Sequence, residues 1–524
     1  MKKNFYVTIL SVINVFRSFL LVGQALISKF LVDDAILAAK SEDNQLLMWA
    51  ILFAVFIILN ISLCLIYFFI KNRFSLRIEV DLKKKIYDAL IRKDILESKK
   101  YHSGELSNIY LADLNNVKNG VTEIVPSFCL YLSRFVLALL ALIYLDPRLL
   151  LVLILIGAVL LIAARVYSKF MKKHHKAALE SDGNVNAFMQ ESFENIKVVK
   201  AMTAEDGFSS YLEDKLKDNY NIKNKRNKLS LMGSGGLFII VQFTSAFTLL
   251  YGAYAIAFMG LSYGSLTGLM QVVSYFESPI SQMSSLISQI NAYKVSLERI
   301  ENIFKLKDDE KQKDVDTFES IEINNVSFSY DRTIFDNLNM VINKGDTVVI
   351  KGPSGAGKST LFNLLLGFIN PESGELFVNA NNEKLSMVSA RKLFSYVPQE
   401  NILFSGTIED NVKLFVKEYT QEQLVWALKQ ACVYDEIMEK PKKLNTPLQE
   451  RGGGLSLGQI QRVLLAISLL LDHEILLLDE FTSALDKDLE KRIVDNIVSL
   501  DKTKIIITHR DIVVENAKIL KVGE

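Results

Sequence analysis

Long apolar runs without charged residues occupy the first half of the chain and predict membrane-spanning helices. Leu46–Ile70 has no charge over 25 residues, and Leu229–Phe276 has none over 48 residues. At a rise of ~1.5 Å per residue, the first run can cross a hydrocarbon core of ~30 Å once and the second run can cross it twice. Leu149–Ala164 is a third such run.

Two further runs carry interior charges. Asn4–Leu31 contains Arg17 and Lys29, and Val121–Leu145 contains Arg134. With them, the pattern predicts six membrane helices. They lie at about residues 4–32, 46–70, 121–145, 149–167, 231–259 and 265–290, with long helical extensions at 71–120 and 168–230.

Basic residues concentrate in the two long connections between these helices. Lys71–Lys118 carries eleven Lys and Arg residues and Ser168–Ser230 carries twelve, whereas Asp33–Gln45 carries one Lys against four acids. Short connections rich in Lys and Arg remain on the cytoplasmic side of a membrane. We therefore expect a multi-pass protein whose two termini and long basic connections are cytoplasmic.

Polar residues form a stripe on the last predicted helix. The stripe comprises Gln271, Ser274, Ser278, Ser281, Ser285 and Ser288, spaced three and four residues apart. Such spacing places them on one helix face, which indicates either a water-filled path or close helix packing. Arg17 and Arg134 are costly in lipid, so each indicates a substrate contact or a structural ion pair, and Glu277 has the same two interpretations.

The pattern changes after about residue 317. Residues 301–317 are polar and predict a linker, and beyond them short apolar strands alternate with helices, as in an α/β domain with a largely parallel sheet. The predicted fold class is therefore multidomain: an all-α transmembrane domain at 1–300, followed by an α/β domain at 318–524.

Net charge separates the same two halves. The whole chain has a net charge of +1, which argues against a nucleic-acid-binding protein. Residues 1–317 contain 37 basic and 30 acidic residues, whereas residues 318–524 contain 23 and 29.

Cys64, Cys129 and Cys432 are far apart in sequence and predict three buried thiols, with no metal or disulfide pattern.

A phosphate-binding loop opens the α/β domain. Gly352–Ser359 fits the pattern G-x-x-x-x-G-K-[ST] between an apolar strand and a helix. Backbone amides of such a loop surround phosphates, the lysine contacts the β- and γ-phosphates, and the hydroxyl binds Mg²⁺. The predicted nucleotide-binding residues are Gly352, Ser354, Gly355, Ala356, Gly357, Lys358, Ser359 and Thr360.

Two acidic residues end a buried strand downstream of this loop. Ile475–Leu478 is wholly apolar, and Asp479 and Glu480 follow it. Asp479 is the expected second Mg²⁺ ligand, and Glu480 is the expected general base for an attacking water molecule. The sequence thus predicts a P-loop NTPase that binds a nucleotide with Mg²⁺.

Together these motifs make the chain resemble an ABC transporter half-molecule of the exporter type, with six membrane helices fused to one ATP-binding domain. Smaller motifs agree with this resemblance. They are Val326–Tyr330, Tyr396–Gln399, Thr446–Gly452, Leu455–Arg462, Ser483–Asp486 and Ile506–His509.

The resemblance implies roles for residues in these motifs. Tyr330 corresponds to the aromatic residue that stacks on adenine, and Gln399 to the loop glutamine that senses Mg²⁺ and contacts the membrane domain. With Glu480 and His509, Gln399 is an expected catalytic residue, and it is also an expected Mg²⁺ ligand. His509 corresponds to the histidine near the γ-phosphate. Leu455–Arg462 resembles the signature motif, whose residues approach ATP held by a second subunit. In this chain they are Ser456, Gly458 and Gln459.

Leu457 departs from the family's signature, where glycine is usual. A leucine there could crowd the start of the helix if the position required a glycine conformation. Because Ser456 and Gly458 are retained, we interpret Leu457 as a tolerated variant.

The resemblance further implies a dimer of half-transporters, identical or different, with ATP bound between them. The expected function is ATP-driven export of an amphipathic peptide, drug or lipid. The alternative is a nucleotide-gated regulatory or immunity membrane protein without net transport. The expected partners are the lipid bilayer and an unidentified substrate. The Lys-, Asn- and Ile-rich composition is typical of AT-rich bacteria, so we expect a bacterial plasma membrane.

Overall fold

The computed structural model describes residues 2–39, 45–101, 103–353, 355–399, 402–509 and 517–523. The chain forms two compact units. The first contains Met1–Ala89 and His102–Lys305, and the second contains Leu90–Tyr101 and Leu306–Glu524.

Helices account for almost all of the first 305 residues. In chain order they are α1 (Lys2–Ala39), α2 (Leu46–Leu90), α3 (Ile95–Ser98), α4 (Ser103–Asn108), α5 (Leu114–Asn119), α6 (Val125–Leu145), α7 (Pro147–Glu194), α8 (Ile196–Ala201), α9 (Glu205–Met259) and α10 (Tyr263–Lys305). Two π-helical turns, Ile109–Asp113 and Gly120–Ile124, connect α4, α5 and α6.

These helices differ from the predicted spans mainly at their ends. The predicted extension at 71–120 is interrupted after Leu90, and the one at 168–230 is interrupted between α7 and α9. The linker predicted at 301–317 begins as helix, because α10 continues to Lys305.

Four helical stretches of the described chain are long and apolar enough to cross a membrane. They are Asn4–Ala39, Leu46–Leu90, Ile109–Leu145 and Glu205–Met259. The spans predicted at 149–167 and 265–290 lie within α7 and α10, so the count of six stays a prediction.

The turn between α6 and α7 shows how local sequence sets a helix boundary. Asp146 leaves the helical conformation, and its Oδ1 accepts a hydrogen bond from the Arg148 amide at 2.9 Å, while Pro147 occupies the first turn of α7. An acidic cap followed by proline favours a helix start. The Tyr251 hydroxyl of α9 donates to Asp146 Oδ2 at 2.7 Å, which ties a third helix to this turn.

The three cysteines were expected to be buried, and this prediction is wrong. Cys64, Cys129 and Cys432 are free thiols, and each is only partly buried.

Residues 90–101 join the second unit through a junction with the residues that follow α10. Lys93 Nζ donates to the Leu306 carbonyl at 2.7 Å and pairs with Asp308 at 2.6 Å. The Asp94 amide donates to the Lys307 carbonyl at 3.0 Å, and the Asp309 amide donates to the Arg92 carbonyl at 2.9 Å. The Lys93 side chain is 5% exposed. We call this contact the 92–309 junction.

The described residues of the second unit form three sheets. Its strands are β1 (Ser320–Ser329), β2 (Thr333–Asn343), β3 (Thr347–Lys351), β4 (Ser373–Ala380), β5 (Glu383–Ser386), β6 (Phe394–Val397), β7 (Gly406–Thr407), β8 (Pro447–Leu448), β9 (Ile475–Asp479), β10 (Thr503–Ile507) and β11 (Lys518–Lys521). The order is β2-β1-β4-β5 in an antiparallel sheet, β11-β3-β10-β9-β6 in a parallel sheet, and β7-β8 in an antiparallel pair.

Both faces of β9 are covered, as its continuous apolar sequence predicts. Ile475 and Leu477 face a core formed with the antiparallel sheet, and Leu476 and Leu478 face a core formed mainly by helices. The helices of this unit are α11 (Lys358–Leu365), α12 (Ile408–Phe415), α13 (Gln421–Gln430), α14 (Tyr434–Met438), α15 (Leu457–Leu470) and α16 (Lys487–Val498).

Candidate nucleotide site

The predicted phosphate-binding loop connects β3 to α11. Gly355 and Gly357 have positive φ angles of 79° and 98°, which L side chains rarely adopt. Gly357 stands at the N-cap of α11, so the amides at the start of this helix lack intrahelical partners and are available for an anion. Ser354, another predicted member of the loop, lies outside the described residues.

Lys358 folds back onto its own loop. Its Nζ donates to the carbonyl oxygens of Gly352 and Pro353 at 2.9 Å each. Burial lowers the pKa of Lys358, and the nearby carboxyl groups of Glu480 and Asp479 oppose that shift. The ammonium group is therefore held in the loop by two neutral acceptors, which a phosphate can replace. Ala356 packs against the core behind the loop.

Asp479 ends β9 and is 3% exposed. Its Oδ1 is buried and has no hydrogen-bond partner among the described residues. Burial, and secondarily the charge of Glu480, raise the pKa of Asp479 to about 6. A buried carboxylate oxygen without a donor is an acceptor suited to a cation.

Glu480 follows directly and is held by two neighbours. Gln399 Nε2 donates to Glu480 Oε2 at 2.9 Å, and His509 Nε2 lies 3.0 Å from Glu480 Oε1. Gln399 follows β6 and His509 follows β10, the two strands beside β9, so parallel neighbours deliver all three side chains to one sheet edge. Glu480 has a positive φ of 47°, a strained conformation that concentrates at functional sites.

These side chains line one cleft of about 510 Å³. Its walls are Tyr330, Asp331, Arg332, Ile334, Gly355, Gly357, Lys358, Ser359, Thr360, Gln399, Glu480 and His509. The predicted stacking residue, Tyr330, is 58% exposed at its rim.

Arg332 is a cleft residue that the sequence prediction missed. Its Nη2 donates to the Gly355 carbonyl at 2.8 Å, so it supports the loop in addition to adding positive charge to the cleft. The sequence signal that could have identified Arg332 is its positive charge two positions after Tyr330.

The signature residues do not line this cleft. Ser456 caps α15: its Oγ accepts from the Gln459 amide at 3.2 Å, and Gln459 Oε1 accepts from the Ser456 amide at 3.1 Å. Gly458 packs against Leu485 and Ala484, where a Cβ would lie 3.1 Å from the leucine side chain. The three residues are thus placed by one reciprocal cap, away from the loop of their own chain.

Leu457 raises no steric problem in the structure. It is the first residue of α15, its φ is not positive, and its side chain is 55% exposed. The position therefore requires no glycine conformation. This observation removes the structural reason for regarding the signature as inactive.

Arg462 secures the start of α15 from behind. It forms a bidentate pair with Glu436, with Nη1–Oε1 at 2.6 Å and Nη2–Oε2 at 3.0 Å, and its Nε donates to the Gly458 carbonyl at 3.0 Å. Gln459 Nε2 also donates to Glu436 at 2.8 Å. The hydrogen bonds of Arg462 hold the pKa of Glu436 below its usual range.

Two family models match the chain in the order that this architecture implies. A model described as the ABC transporter transmembrane region matches residues 6–280, and a model described as ABC transporter matches residues 335–483. The chain belongs to the ABC transporters. The predicted family and the predicted fold class, a helical transmembrane domain followed by an ATP-binding domain, are confirmed, and this ABC transporter is a multi-pass membrane protein.

Known relatives resemble this ABC transporter along most of its length. The transport/processing ATP-binding protein ComA of Streptococcus pneumoniae is 26% identical over 79% of the chain, which spans 59% of that relative. The ATP-dependent lipid A-core flippase 1 of Colwellia psychrerythraea is 28% identical over 85% of the chain and 77% of its own length.

A solved structure has the same fold. The structure of a bacterial Atm1-family ABC exporter with ATP bound superposes with a TM-score of 0.84 at 21% identity, covering 99% of this chain and 94% of that one. At this identity the likeness supports the fold alone.

Proposed function

We propose that this ABC transporter is an exporter that hydrolyses ATP to move an amphipathic substrate out of the cytoplasm. One observation carries the proposal: Lys358, Ser359, Gln399, Glu480 and His509 converge on a single cleft, although the sequence separates them by up to about 150 residues. Phosphate-binding and proton-accepting groups therefore meet where a nucleotide fits.

Glu480 is the proposed general base. Its two carboxylate oxygens are oriented by Gln399 and His509, so the side chain has one defined position at the cleft wall. A positioned carboxylate can accept the proton of an attacking water molecule, and removal of such a base lowers turnover by ~10²–10⁴-fold.

The described residues also fit Mg²⁺. Ser359, the amide oxygen of Gln399 and Asp479 offer the oxygen ligands this ion prefers, and the unpartnered Asp479 Oδ1 requires a donor or a cation. When bound, the ion supplies positive charge to the phosphates. These ligands are a proposal, as are the predicted nucleotide contacts.

The test is ATP turnover by the purified full-length protein in phosphatidylcholine nanodiscs, comparing parent, Glu480→Gln and Glu422→Gln. Glu422 is exposed on α13 and serves as the matched control. We expect Glu480→Gln to lose at least a hundredfold in turnover while it still binds ATP, and Glu422→Gln to retain turnover. The proposal fails if the parent does not hydrolyse ATP, or if both variants behave alike.

We also propose that the working unit is a dimer in which the signature of one chain faces the cleft of its partner. This follows from the position of Ser456, which lies outside the cleft of its own chain. Both termini and the basic connections are proposed to be cytoplasmic, on the charge asymmetry of the loops.

Mixed dimers test this arrangement. One chain carries Lys358→Ala and the other carries Ser456→Arg, with different affinity tags for isolation of the mixed pair. A shared site leaves one intact cleft–signature combination, so about half of the parental turnover should remain. A self-contained site predicts no turnover, because each chain then holds one disabling change.

A further inference from the structure

Two arginines in the membrane-spanning helices have no acidic partner among the residues that the structure describes. Arg17 lies in α1 and Arg134 in α6, and both are only partly buried. Among the described residues, no carboxylate lies within ion-pair distance of either guanidinium group. The ion-pair interpretation that the sequence left open therefore finds no support in the described part of the chain.

Arg17 makes only weak neutral contacts. Its Nη1 donates to Asn14 Oδ1 at 3.3 Å, its Nη2 lies 3.3 Å from Cys64 Sγ, and its guanidinium carbon is 5.7 Å from the centre of the Tyr67 ring. Its Nε is buried and has no hydrogen-bond partner in the part of the chain that the structure describes. A guanidinium has five N–H donors, so most of them remain available to a ligand.

Arg134 repeats this pattern on the adjacent helix. Its Nη1 donates to Ser278 Oγ at 3.3 Å, and its guanidinium carbon is 6.0 Å from the centre of the Tyr275 ring. Its Nε is also buried and has no hydrogen-bond partner among the described residues. Glu277, the adjacent acid on α10, bonds with Thr244 of α9 instead.

Packing fixes the two arginines beside each other. Ser133 Oγ, next to Arg134, donates to Ser18 Oγ, next to Arg17, at 2.9 Å. Asn14 Nδ2 donates to the Pro126 carbonyl at 3.0 Å, one helical turn earlier on α1. Ser18 Oγ also donates to the Leu130 carbonyl at 3.2 Å, so these hydrogen bonds hold α1 against α6 next to the guanidinium groups.

Such an arrangement is unfavourable without an anion. Unneutralised charges within membrane helices are costly, and two of like sign add mutual repulsion. Bidentate hydrogen bonding by arginine suits carboxylate and phosphate groups.

We propose that Arg17 and Arg134 form an anion subsite that binds the acidic headgroup of the transported amphiphile, with Tyr67 and Tyr275 flanking it. This proposal rests on the proposed export function and deepens it, because it names a substrate class: amphiphiles that carry a phosphate or carboxylate.

The test measures binding to the full-length protein in phosphatidylcholine nanodiscs without nucleotide, with empty nanodiscs subtracted. The probes share a twelve-carbon chain: dodecyl phosphate, dodecanoate and dodecyltrimethylammonium. Inorganic phosphate, which lacks the alkyl chain, is the fourth probe. Preference for dodecyl phosphate over dodecanoate identifies a phosphate headgroup as the source, and the reverse preference identifies a carboxylate.

We expect both anionic amphiphiles to bind and the cationic one not to. Arg17→Gln and Arg134→Gln should each weaken anion binding by about tenfold or more, the loss typical of one charge-assisted hydrogen bond. The control is Arg148→Gln, which replaces an exposed arginine on α7. This variant should bind the anionic amphiphiles with the parental affinity. The proposal is overturned if dodecyltrimethylammonium or inorganic phosphate binds as tightly as the anionic amphiphiles. It is also overturned if both Gln variants bind the anionic amphiphiles with the parental affinity.

Thermal unfolding separates this role from a structural one. A ligand subsite predicts that the Gln variants keep the parental Tm without ligand and lose the Tm rise that dodecyl phosphate causes in the parent. A lower Tm without ligand, together with a retained rise, overturns the proposal. Arg17→Lys and Arg134→Lys keep the charge and should retain part of the affinity.

Anion binding is measured without nucleotide, so its result can be separated from that of the ATP turnover assay. Loss of anion binding in the Gln variants with normal basal ATP turnover supports the subsite. Absence of anion binding in a parent that hydrolyses ATP overturns the subsite and leaves the export function standing. Absence of hydrolysis in the parent contradicts the proposed function instead.

Discussion

Gly357→Ala should disable nucleotide binding through one predictable collision. Gly357 has a φ of 98°, and a Cβ built on it lies 2.2 Å from Ile334 Cγ2. Ordinary contacts of this kind are 3.4–4 Å. Ile334 would have to move by more than an ångström, and it packs against the core of the ATP-binding domain.

The expected cost has two parts. A non-glycine residue in the left-handed region costs ~1–2 kcal/mol. Overpacking a well-filled site adds ~1–3 kcal/mol. If the loop must return to its native conformation to bind ATP, the sum weakens affinity by roughly thirty-fold to a few thousand-fold.

Ile334→Ala separates these parts, and Gly345→Ala is the control for a substitution at a positive φ outside the cleft. Gly345 has a φ of 85° in a turn with nothing within 4 Å of a built Cβ, so Gly345→Ala carries the conformational cost without the collision. Ile334→Ala removes the obstructing Cγ2, because the remaining Cβ lies 3.7 Å from the new one, within ordinary contact distance.

The assay is equilibrium dialysis of radiolabelled ATP with full-length protein, for Gly357→Ala, Ile334→Ala and the double variant. The double variant should bind better than the two single effects predict, by a coupling of ~1–3 kcal/mol. Gly345→Ala should bind ATP as the parent does. The steric argument would be refuted if the losses of ATP affinity in Gly357→Ala and Ile334→Ala simply added in the double variant. It would also be refuted if Gly345→Ala lost as much ATP affinity as Gly357→Ala.

Three further predictions concern the second unit and its junction. Glu436→Gln should lower the apparent Tm by leaving the buried Arg462 without a counter-charge. The difference from the parent should narrow as pH falls through the lowered pKa of Glu436, because stability from a depressed carboxyl pKa is lost on protonation; a pH-independent difference would contradict this. Lys93→Met should leave ATP turnover within about threefold of the parent but reduce transport per ATP, because the buried ammonium holds the 92–309 junction together. Asp308→Asn should reduce transport per ATP less than Lys93→Met does, since Asp308 is 75% exposed and its ion pair is screened by water. If the two variants had equal effects when ATP turnover and transport are measured together, the proposed role of the 92–309 junction would be contradicted. Leu457→Gly should change ATP turnover less than about threefold, because the leucine is exposed and helical, and a tenfold rise would show that it limits activity.

Local signals in the sequence were sufficient to predict the candidate nucleotide site. The phosphate-binding loop depends on glycines at fixed spacing, and β9 depends on an unbroken apolar run followed by Asp479 and Glu480. Each feature is set by adjacent residues, so the chain reveals it without tertiary information. The cap formed by Ser456 and Gln459 was also readable as S-x-x-Q, although only the resemblance drew attention to it.

Features that depend on distant contacts were not predictable. Periodicity treated 71–120 as one helical extension, because nothing local indicates that residues 90–101 leave α2 to pair with residues 306–309. Arg332 was missed for a similar reason, since its role depends on the Gly355 carbonyl 23 residues away. That no described carboxylate pairs with Arg17 or Arg134 likewise required the helix packing to be known.

The 92–309 junction also places a constraint on biosynthesis. Lys93 emerges from the ribosome 213 residues before Leu306, its carbonyl partner. At ~5–20 residues per second, roughly 10–40 seconds separate the two partners during translation. Throughout that interval Lys93 lacks the partners that it has in the folded chain, and completion of the ATP-binding domain depends on a segment made before most of the predicted membrane helices. Truncated chains that end before Leu306 should therefore leave residues 90–101 open to proteases, which become unable to cut there once the downstream strands are synthesised.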